Sequence, residues 1–347
     1  MLFLILLYNY FGDNMKYVLN RIFNMSFKNM FKQINVVHER SNKNRILIFF
    51  DMIICGFKYE AGYMDYMLFE MYNLNSKQRK TIMTRGKNNK LIKKYNDFKY
   101  KDYFLMKDKF DNKFKKYLKR DFLVINENNE NDFNLFIKKH PIFFGKPLDG
   151  QCGKRIEKIN ANEYKGNLFK HLLDNKLFLI EEPIIQNEEI NKLHPCSINT
   201  IRMVTIYNKE KKEGKVAACY FRIGNGKCVD NFNSGGMVVP VDRKTGTILY
   251  PAQDKAGNLY YNHPLTNTPI VGYKIPLFKE AIKLAEELSS VIPEMGVVGW
   301  DIAITPNEPV VVEGNEFPGH DIYQLPPHRT NGIGVLPDFE KILGHKL

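Results

Sequence analysis

Two apolar runs stand out in this chain, and neither reaches the ~20 residues that a membrane-spanning helix needs. The first, MLFLILLYNYF at residues 1–11, has no basic stretch before it and no small-residue cleavage site after it, so it does not read as a secretory signal. It is expected to be a short helix, a disordered stretch or a weak surface anchor, or to precede a true start at Met15. The second, RILIFFDMIICGF from Arg45 to Phe57, is interrupted by Asp51 and reads as core. Cysteine is sparse: Cys55, Cys152, Cys196, Cys219 and Cys228 form an odd set without a C-x-x-C pair. Free thiols in a reducing cytosol suit that set better than a disulfide framework. There is no internal repeat, no Gly/Ser- or Pro-rich linker, no Walker loop, and no Ser-His or Cys-His arrangement that would supply a protein nucleophile.

Charge is present but lopsided. The stretch from Ser76 to Arg120 holds 17 Lys and Arg against 4 Asp, which is the whole formal excess of +13. A basic block of this kind fits nucleic acid, anionic lipid or polyphosphate. It comes without a zinc finger or an aromatic RNA platform, so a solvated basic face is the plain alternative.

At 347 residues the chain is long enough for two or three domains. From Lys16 to about Leu105 the pattern is mostly helical. YMDYMLFEMYNL sets Tyr63, Met67, Glu70 and Met71 at helical spacing, and Ser76 is placed to cap the next helix. From Phe122 onward, short β-branched or aromatic runs alternate with turns. One helix is clear: IPLFKEAIKLAEELSSVIP carries Pro276 in its first turn, aligns Leu277, Ala281, Leu284, Ala285, Leu288 and Ile292 on one face, and ends at Pro293.

The segment GVVGWDIAITPNEPVVVEGNEF reads as two strands joined by a tight turn. A turn centred on Asn307 sets Asp301 opposite Glu313, and strand alternation puts Glu313 and Asn315 on the same side. Two facing carboxylates destabilise a sheet unless something compensates. A hard divalent cation such as Mg²⁺ would do so; a pairing with Arg202 or Arg222 would do so too. Upstream, FFGKPLDGQCGKRI ends an apolar strand at Lys146 and continues into a loop with Gly150 and Gly153. That loop is either an ordinary turn or a place where backbone N–H groups approach phosphate.

The order of these motifs resembles the ATP-grasp superfamily, and in particular its sugar-transfer-associated branch. The resemblance runs through GYMDYMLFEMYNLNSKQRKTIMT, LHPCSINTIRMVTI, VDNFNSGG and GWDIAIT…VVVEGNEFPG, about Gly62 to Gly319; the last motifs also resemble bacterial α-L-glutamate ligases. It implies an α+β ATP-grasp fold, two α+β subdomains clasping a nucleotide. A mostly helical N-terminal region would occupy residues 1–104, a nucleotide-binding subdomain 105–190 and a C-terminal subdomain with the metal site 191–347.

Residue by residue, the resemblance makes Lys109 and Lys146 the lysines near the α and β phosphates. Glu181, Glu182 and Ile184 become the hinge whose backbone meets adenine, and Glu188 the ribose ligand. Asp301, Glu313 and Asn315 match Mg²⁺ ligands. Arg202 and Arg222 would neutralise the γ-phosphate and an anionic intermediate, and Asn231, with Ser234, Gly235 and Gly236, would form a closing loop. Apart from the resemblance, His320 stands next to the carboxylate hairpin in FPGHD, a place that suits a substrate contact.

The implied activity is an ADP-forming, ATP- and Mg²⁺-dependent carboxylate–amine ligase acting through an acyl phosphate. It would join an amino acid or amine to a sugar or precursor in cell-surface polysaccharide biosynthesis. Its setting is the cytoplasm, with peripheral contact at the inner membrane face or with a glycosyltransferase, and without nucleic acid. An ATP-grasp kinase, or a non-catalytic module binding anionic glycan or a membrane surface, are the alternatives.

Overall fold

The computed structural model describes residues 26–149, 155–226, 230, 232 and 235–347. The N-terminal apolar run and Gly150, Gly153, Asn231 and Ser234 lie outside the described residues. The chain is α+β with a mostly helical N-terminal region, and it divides into two units. One comprises residues up to Lys90 with Gln324–Leu336; the other comprises Leu91–Tyr323 with Pro337–Leu347.

The first unit opens with α1 (Phe27–Ser41) and α2 (Arg45–Tyr59). The Ser26 side chain caps α1 by accepting from the Asn29 N–H, and Asn44 caps α2 by accepting from the Ile46 N–H at 2.8 Å. Both side chains occupy donors that a helix start leaves free. Met30, Ile34 and Val37 of α1 pack with Ile48, Met52, Cys55 and Tyr59 of α2. Asp51, which breaks the apolar run, is held by Arg79 through two bonds of 2.6 and 2.7 Å and by the Tyr66 hydroxyl, which donates at 2.6 Å.

Two local expectations are corrected in this unit. The helix read through Met71 is α3 (Tyr63–Leu68); it stops because Glu70 takes a left-handed φ of 45°. The next helix, α4 (Ser76–Lys80), is capped by Asn75 rather than Ser76, with Gln78 reaching back to the Asn75 N–H at 2.9 Å in a capping box. The returning segment is stitched in by Gln324, whose amide donates to the Met83 carbonyl at 2.7 Å and accepts from the Met83 N–H at 3.1 Å. The division between units falls within α5 (Arg85–Tyr95).

The second unit continues through α6 (Asp102–Leu105), α7 (Lys107–Leu118), β1 (Phe122–Val124), α8 (Glu130–Lys139), β2 (Ile142–Lys146), β3 (Glu157–Asn160), α9 (Leu168–Asp174) and β4 (Leu179–Glu181). Its four strands form an antiparallel sheet in the order β1-β4-β2-β3. After α10 (Glu188–Leu193) come β5 (Thr200–Asn208), β6 (Glu213–Ile223), β7 (Met237–Pro240), β8 (Ala252–Gln253), β9 (Leu259–Tyr260), α11 (Phe278–Ser289), β10 (Val297–Ile304) and β11 (Pro309–Asn315). These seven strands make a second antiparallel sheet ordered β11-β10-β5-β6-β7-β8-β9.

The amphipathic helix expected from Pro276 is α11. It begins two residues later because Leu277 adopts a left-handed φ of 50°, and it ends at Ser289, short of Pro293. Its buried face, Phe278, Ala281, Ala285 and Leu288, packs on β5, β6, β10 and β11. Burying one large apolar side chain contributes about 1.5–3 kcal/mol. Helix propensities differ by only tenths to about 1 kcal/mol per residue, so packing fixes this helix against the sheet.

Candidate active site

The site begins with the β10–β11 hairpin. Next to the turn the partners are Ile304 and Pro309, Ala303 and Val310, Ile302 and Val311. Continued without interruption, that register would bring Asp301 to Val312. Instead it shifts between Asp301 and Ile302, and Asp301 pairs with Glu313, Trp300 with Gly314, and Gly299 with Asn315. The facing carboxylates expected from the sequence are therefore present, but a β-bulge at Val312 sets them there. Bulges re-aim side chains in this way.

The glycine between Glu313 and Asn315 is also required. A Cβ on Gly314 would lie 2.8 Å from the Phe104 ring and 3.0 Å from Phe110. Those two rings pack with Phe114 and Trp300 beneath the strand. One face of β11 is thus closed by aromatics while the other carries the polar groups.

On that polar face, Asp301 stands directly across from Arg202 of β5. Arg202 Nη2 donates to Asp301 Oδ2 at 2.7 Å, its Nε donates to Oδ1, and Arg222 Nη1 donates to Oδ2 at 2.5 Å. Burial alone would raise the Asp301 carboxyl, but the two guanidinium groups outweigh it and hold it well below the carboxylate range. Arg222 extends the network to Asp230 at 2.8 Å, and Asp230 accepts from the Thr200 N–H at 3.0 Å and its hydroxyl at 2.5 Å. The arginine pairing weighed in the sequence for Asp301 is the arrangement found.

Glu313 differs. Desolvation by the surrounding protein and then the Asp301 charge, together with a hydrogen bond between the two carboxyls, push it up to about 7. Since its side chain keeps an exposed face, the Asp301 carboxylate is the dominant physical cause. Asn315 donates its amide to the Gly299 carbonyl at 3.3 Å, which turns its oxygen away from that strand. Two carboxyls sharing a hydrogen bond, plus an oriented amide oxygen, form a donor set that fits a hard divalent cation. A cation placed between the two carboxyls would compensate both charges. Glu313 and Asn315 would hold such an ion, with Asp301 divided between it and the arginines.

The other sheet supplies a second cluster. Lys146, at the end of β2, donates to Glu181 Oε2 at 2.6 Å, and Arg120 Nε donates to the same oxygen at 3.0 Å. Burial would raise Glu181, but Lys146 and Arg120 more than cancel it and lower the carboxyl to about 2. Asp111 of α7, buried beside Glu181, is driven the opposite way, to about 8, by burial and by the Glu181 charge. Arg120 also donates to the carbonyls of Val311 and Val312 at 2.9 and 3.4 Å, so one side chain joins Glu181 to the bulge.

The structure does not bring Lys109 to this cluster: its ammonium pairs with Asp102 at 3.1 Å and both side chains are about half exposed. Two residues earlier on α7, Lys107 is part-buried. Its pKa is lowered by burial and by Lys146, against attraction from Glu313, Glu181 and Asp149. A helix turns about 100° per residue, so two positions separate the cluster side from the solvent side.

Of the hinge residues, Glu181 has sheet partners on both sides, Phe122 and Phe144. Glu182 exchanges backbone and side-chain bonds with Asp121 at 2.9 and 3.0 Å. Ile184 is half-buried, and Glu188 begins α10 with its side chain exposed. Asp121, His140 and Glu182 also gather closely. The imidazole stands between the two carboxylates, its Nε2 2.8 Å from Asp121 and its Nδ1 3.8 Å from Glu182, and Lys139 already occupies Asp121. The two nitrogens point to different carboxylates, and an ion at this cluster would compete with Lys139 for Asp121.

Sequence reasoning missed Arg120, Asp111 and Asp230. The first two sit inside the basic block, where any single match carries little weight, while Asp230 lies in the very VDNFNSGG motif that was singled out. Cys196, one of the free thiols, is exposed.

A family described as sugar-transfer associated ATP-grasp matches residues 160–342 of the chain. Among solved structures, the chain is similar to the ATP-grasp ligase PsnB complexed with its precursor peptide and AMPPNP, at 11% identity and TM-score 0.38, over 65% of this chain and 54% of that one. It is similar to a D-alanine–D-alanine ligase from Helicobacter pylori, at 14% and 0.39, over 63% and 56%. It is also similar to an N5-carboxyaminoimidazole ribonucleotide synthetase from Thermotoga maritima, at 13% and 0.35, over 63% and 44%. The chain spans about half the length of these structures. No curated protein matches it.

Proposed function

The chain belongs to the sugar-transfer associated ATP-grasp family, and on that premise we propose that it is an ADP-forming, carboxylate-activating ligase that joins an amine or amino acid to a sugar or sugar precursor in the cytoplasm, during cell-surface polysaccharide synthesis. The observation that carries this reading is the convergence on one sheet face of Asp301, Glu313, Asn315, Arg202 and Arg222. We assign nucleotide binding to residues 105–190 and the metal and acceptor chemistry to 191–347.

In this reading Lys146 and Lys107 receive the α and β phosphates, Glu181 holds Lys146 in place, and Ile184 and Glu188 meet adenine and ribose. A bound Mg²⁺, held by Glu313, Asn315 and Asp301, supplies charge compensation for phosphate oxygens. Arg202 and Arg222 would offset the negative charge that builds on the transferred phosphoryl group, with their N–H groups divided between the carboxylates they hold and the phosphate oxygens. A substrate carboxylate oxygen attacks the γ-phosphorus, the bond to the bridging oxygen breaks, and ADP departs. The amine nitrogen then attacks the acyl carbon, inorganic phosphate leaves, and the amine gives up a proton. No protein nucleophile takes part.

Trapping tests this directly. The protein is incubated with Mg-ATP, a cytosolic metabolite extract and hydroxylamine, with Glu313→Gln as control because Glu313 is exposed and its replacement spares the Asp301 ion pairs. A hydroxamate that needs intact Glu313 identifies both the acyl phosphate and the acid. Phosphorylated product with no hydroxamate would make the protein a kinase and overturn the ligase.

A further inference from the structure

The run from Arg45 to Phe57 was expected to be core, yet only one side of α2 is. Ile48, Met52, Cys55 and Tyr59 are buried, while Ile46, Leu47, Phe50 and Ile54 are 53–68% exposed. On the neighbouring helix α1, Phe27 and Phe31 are 48% and 55% exposed. The two sets form one surface: Phe31 stacks on Phe49 at 6.1 Å between ring centres, and Phe49 meets Phe50 edge-on at 5.4 Å. Six of the 19 exposed large apolar side chains among the described residues lie on this one hairpin. An apolar patch on this scale marks a contact surface rather than scattered exposure.

Its charge narrows the partner. From Phe27 to Tyr59 the hairpin carries Lys28, Lys32, Arg40, Lys43, Arg45 and Lys58 against Glu39 and Asp51, and Asp51 is consumed by Arg79 and Tyr66. A second copy of the chain would bring the same cations against themselves in a two-fold contact. An anionic bilayer complements both the apolar centre and the cationic rim. No helix of the described residues is long and apolar enough to cross a membrane, and α1 and α2 are 15 residues each, so the hairpin would lie in the interface.

The basic block from Ser76 to Arg120 offers less. It is divided between the two units, and Arg79, Lys90, Lys109 and Arg120 are taken by Asp51, Glu60, Asp102 and Glu181.

We propose that the exposed face of α1 and α2 docks the protein on the surface of a bilayer rich in anionic lipid, with Phe27, Phe31, Ile46, Leu47, Phe50 and Ile54 seated among the headgroups and the flanking cations on lipid phosphates. This does not depend on the ligase reading, since it involves none of the groups assigned to that chemistry.

Flotation of the full chain with phosphatidylglycerol-containing or pure phosphatidylcholine vesicles tests it. Binding is expected to the anionic vesicles and to weaken with salt. The pair Leu47→Glu with Phe50→Glu, and separately Lys28→Glu with Lys32→Glu, should each weaken it roughly tenfold or more. Leu265→Glu, an exposed apolar site elsewhere, should change nothing. Thermal midpoints check that each variant is folded, and Phe31→Ser with Ile54→Ser replaces the first pair if it is not. The proposal is overturned if the wild type fails to float at low salt, or if folded face variants float as it does. It is equally overturned if those variants instead dissociate a wild-type dimer that does not bind vesicles, which would make a second copy the occupant. Flotation lost only on placing Glu within Leu2–Phe11, with the face variants unaffected, would assign the contact to that segment and overturn it too.

Discussion

Arg202 and Asp301 face each other across adjacent antiparallel strands, β5 and β10, and the arginine closes on both oxygens of the one carboxylate while Arg222 takes a second position on Oδ2. Both side chains are nearly shut off from solvent, at 12% and 3% exposure. Removing one member of such a group leaves its partners buried without a counter-charge, which costs about 3–5 kcal/mol. Asp301→Asn is therefore expected to lower the thermal midpoint by several degrees and to abolish ADP formation. Replacing the whole network, Asp301→Leu with Arg202→Met, Arg222→Met and Asp230→Asn so that no buried carboxylate is left without its partner, should recover much of the stability and none of the activity. Thermal melts beside a coupled ADP assay check both halves. A single Asp301→Asn variant that melts with the wild type would show that the ion pairs are not holding the strands.

The lysines of α7 separate in the same way. Lys107 is part-buried and within electrostatic reach of Lys146, Glu181 and Glu313, whereas Lys109 sits at the surface on Asp102. A charge-assisted bond to phosphate contributes about 1.5–3 kcal/mol. Lys107→Ala should therefore weaken nucleotide binding by about tenfold or more, while Lys109→Ala should leave it within about twofold. Titration with a fluorescent ATP analogue measures both, and the reverse order would return the phosphate role to Lys109.

What the sequence made legible, and what it did not, divides along physical lines. The common side of Glu313 and Asn315, the strand end at Lys146 and the face of α11 follow from local periodicity, which a single chain displays. The Val312 bulge is a register event fixed by tertiary contacts, and the Arg120 side chain that satisfies its carbonyls comes from 191 residues away. Glu70 and Leu277 each take a left-handed φ that no residue preference announces, and so helix ends were misplaced there. The run around Asp51 was read as core because hydrophobic content alone does not say which side of a helix is covered.

Asp111 gives a pH dependence with a definite sign. Burial and Glu181 raise its pKa from 3.8 to about 8, so the folded state keeps a proton that the unfolded chain releases near pH 4. The stability this proton contributes is fully present below about pH 4 and falls by at most about 1.4 kcal/mol per unit as pH rises, until it is gone above about pH 8. Asp111→Asn keeps a neutral donor toward Glu181 and removes the titration. In urea unfolding, the variant should lose clearly less stability than the wild type between about pH 5 and about pH 8. Equal losses in both proteins would mean that Asp111 is ionised in the fold.

Deleting Val312 separates the two things the bulge does. Without the extra residue the turn-proximal register runs straight on from Ile302–Val311 to Asp301–Glu313 and Gly299–Asn315, so the facing of the polar groups is kept. What disappears is the local bend and the Val312 carbonyl that Arg120 reaches at 3.4 Å, while its bond to the Val311 carbonyl at 2.9 Å remains. One such bond contributes about 1 kcal/mol. The expected result is a chain with near-unchanged far-UV circular dichroism, a thermal midpoint lowered by a few degrees, and Mg²⁺-dependent ATP turnover retained. Inserting an Ala after Val312 acts on the register instead: in a ladder with the same one-residue bulge it carries Glu313 one place past Asp301 and turns its side chain to the aromatic side, so turnover should be lost. If the deletion abolished turnover in a folded chain, the bend of the bulge, and not the pairing, would be what aims Glu313.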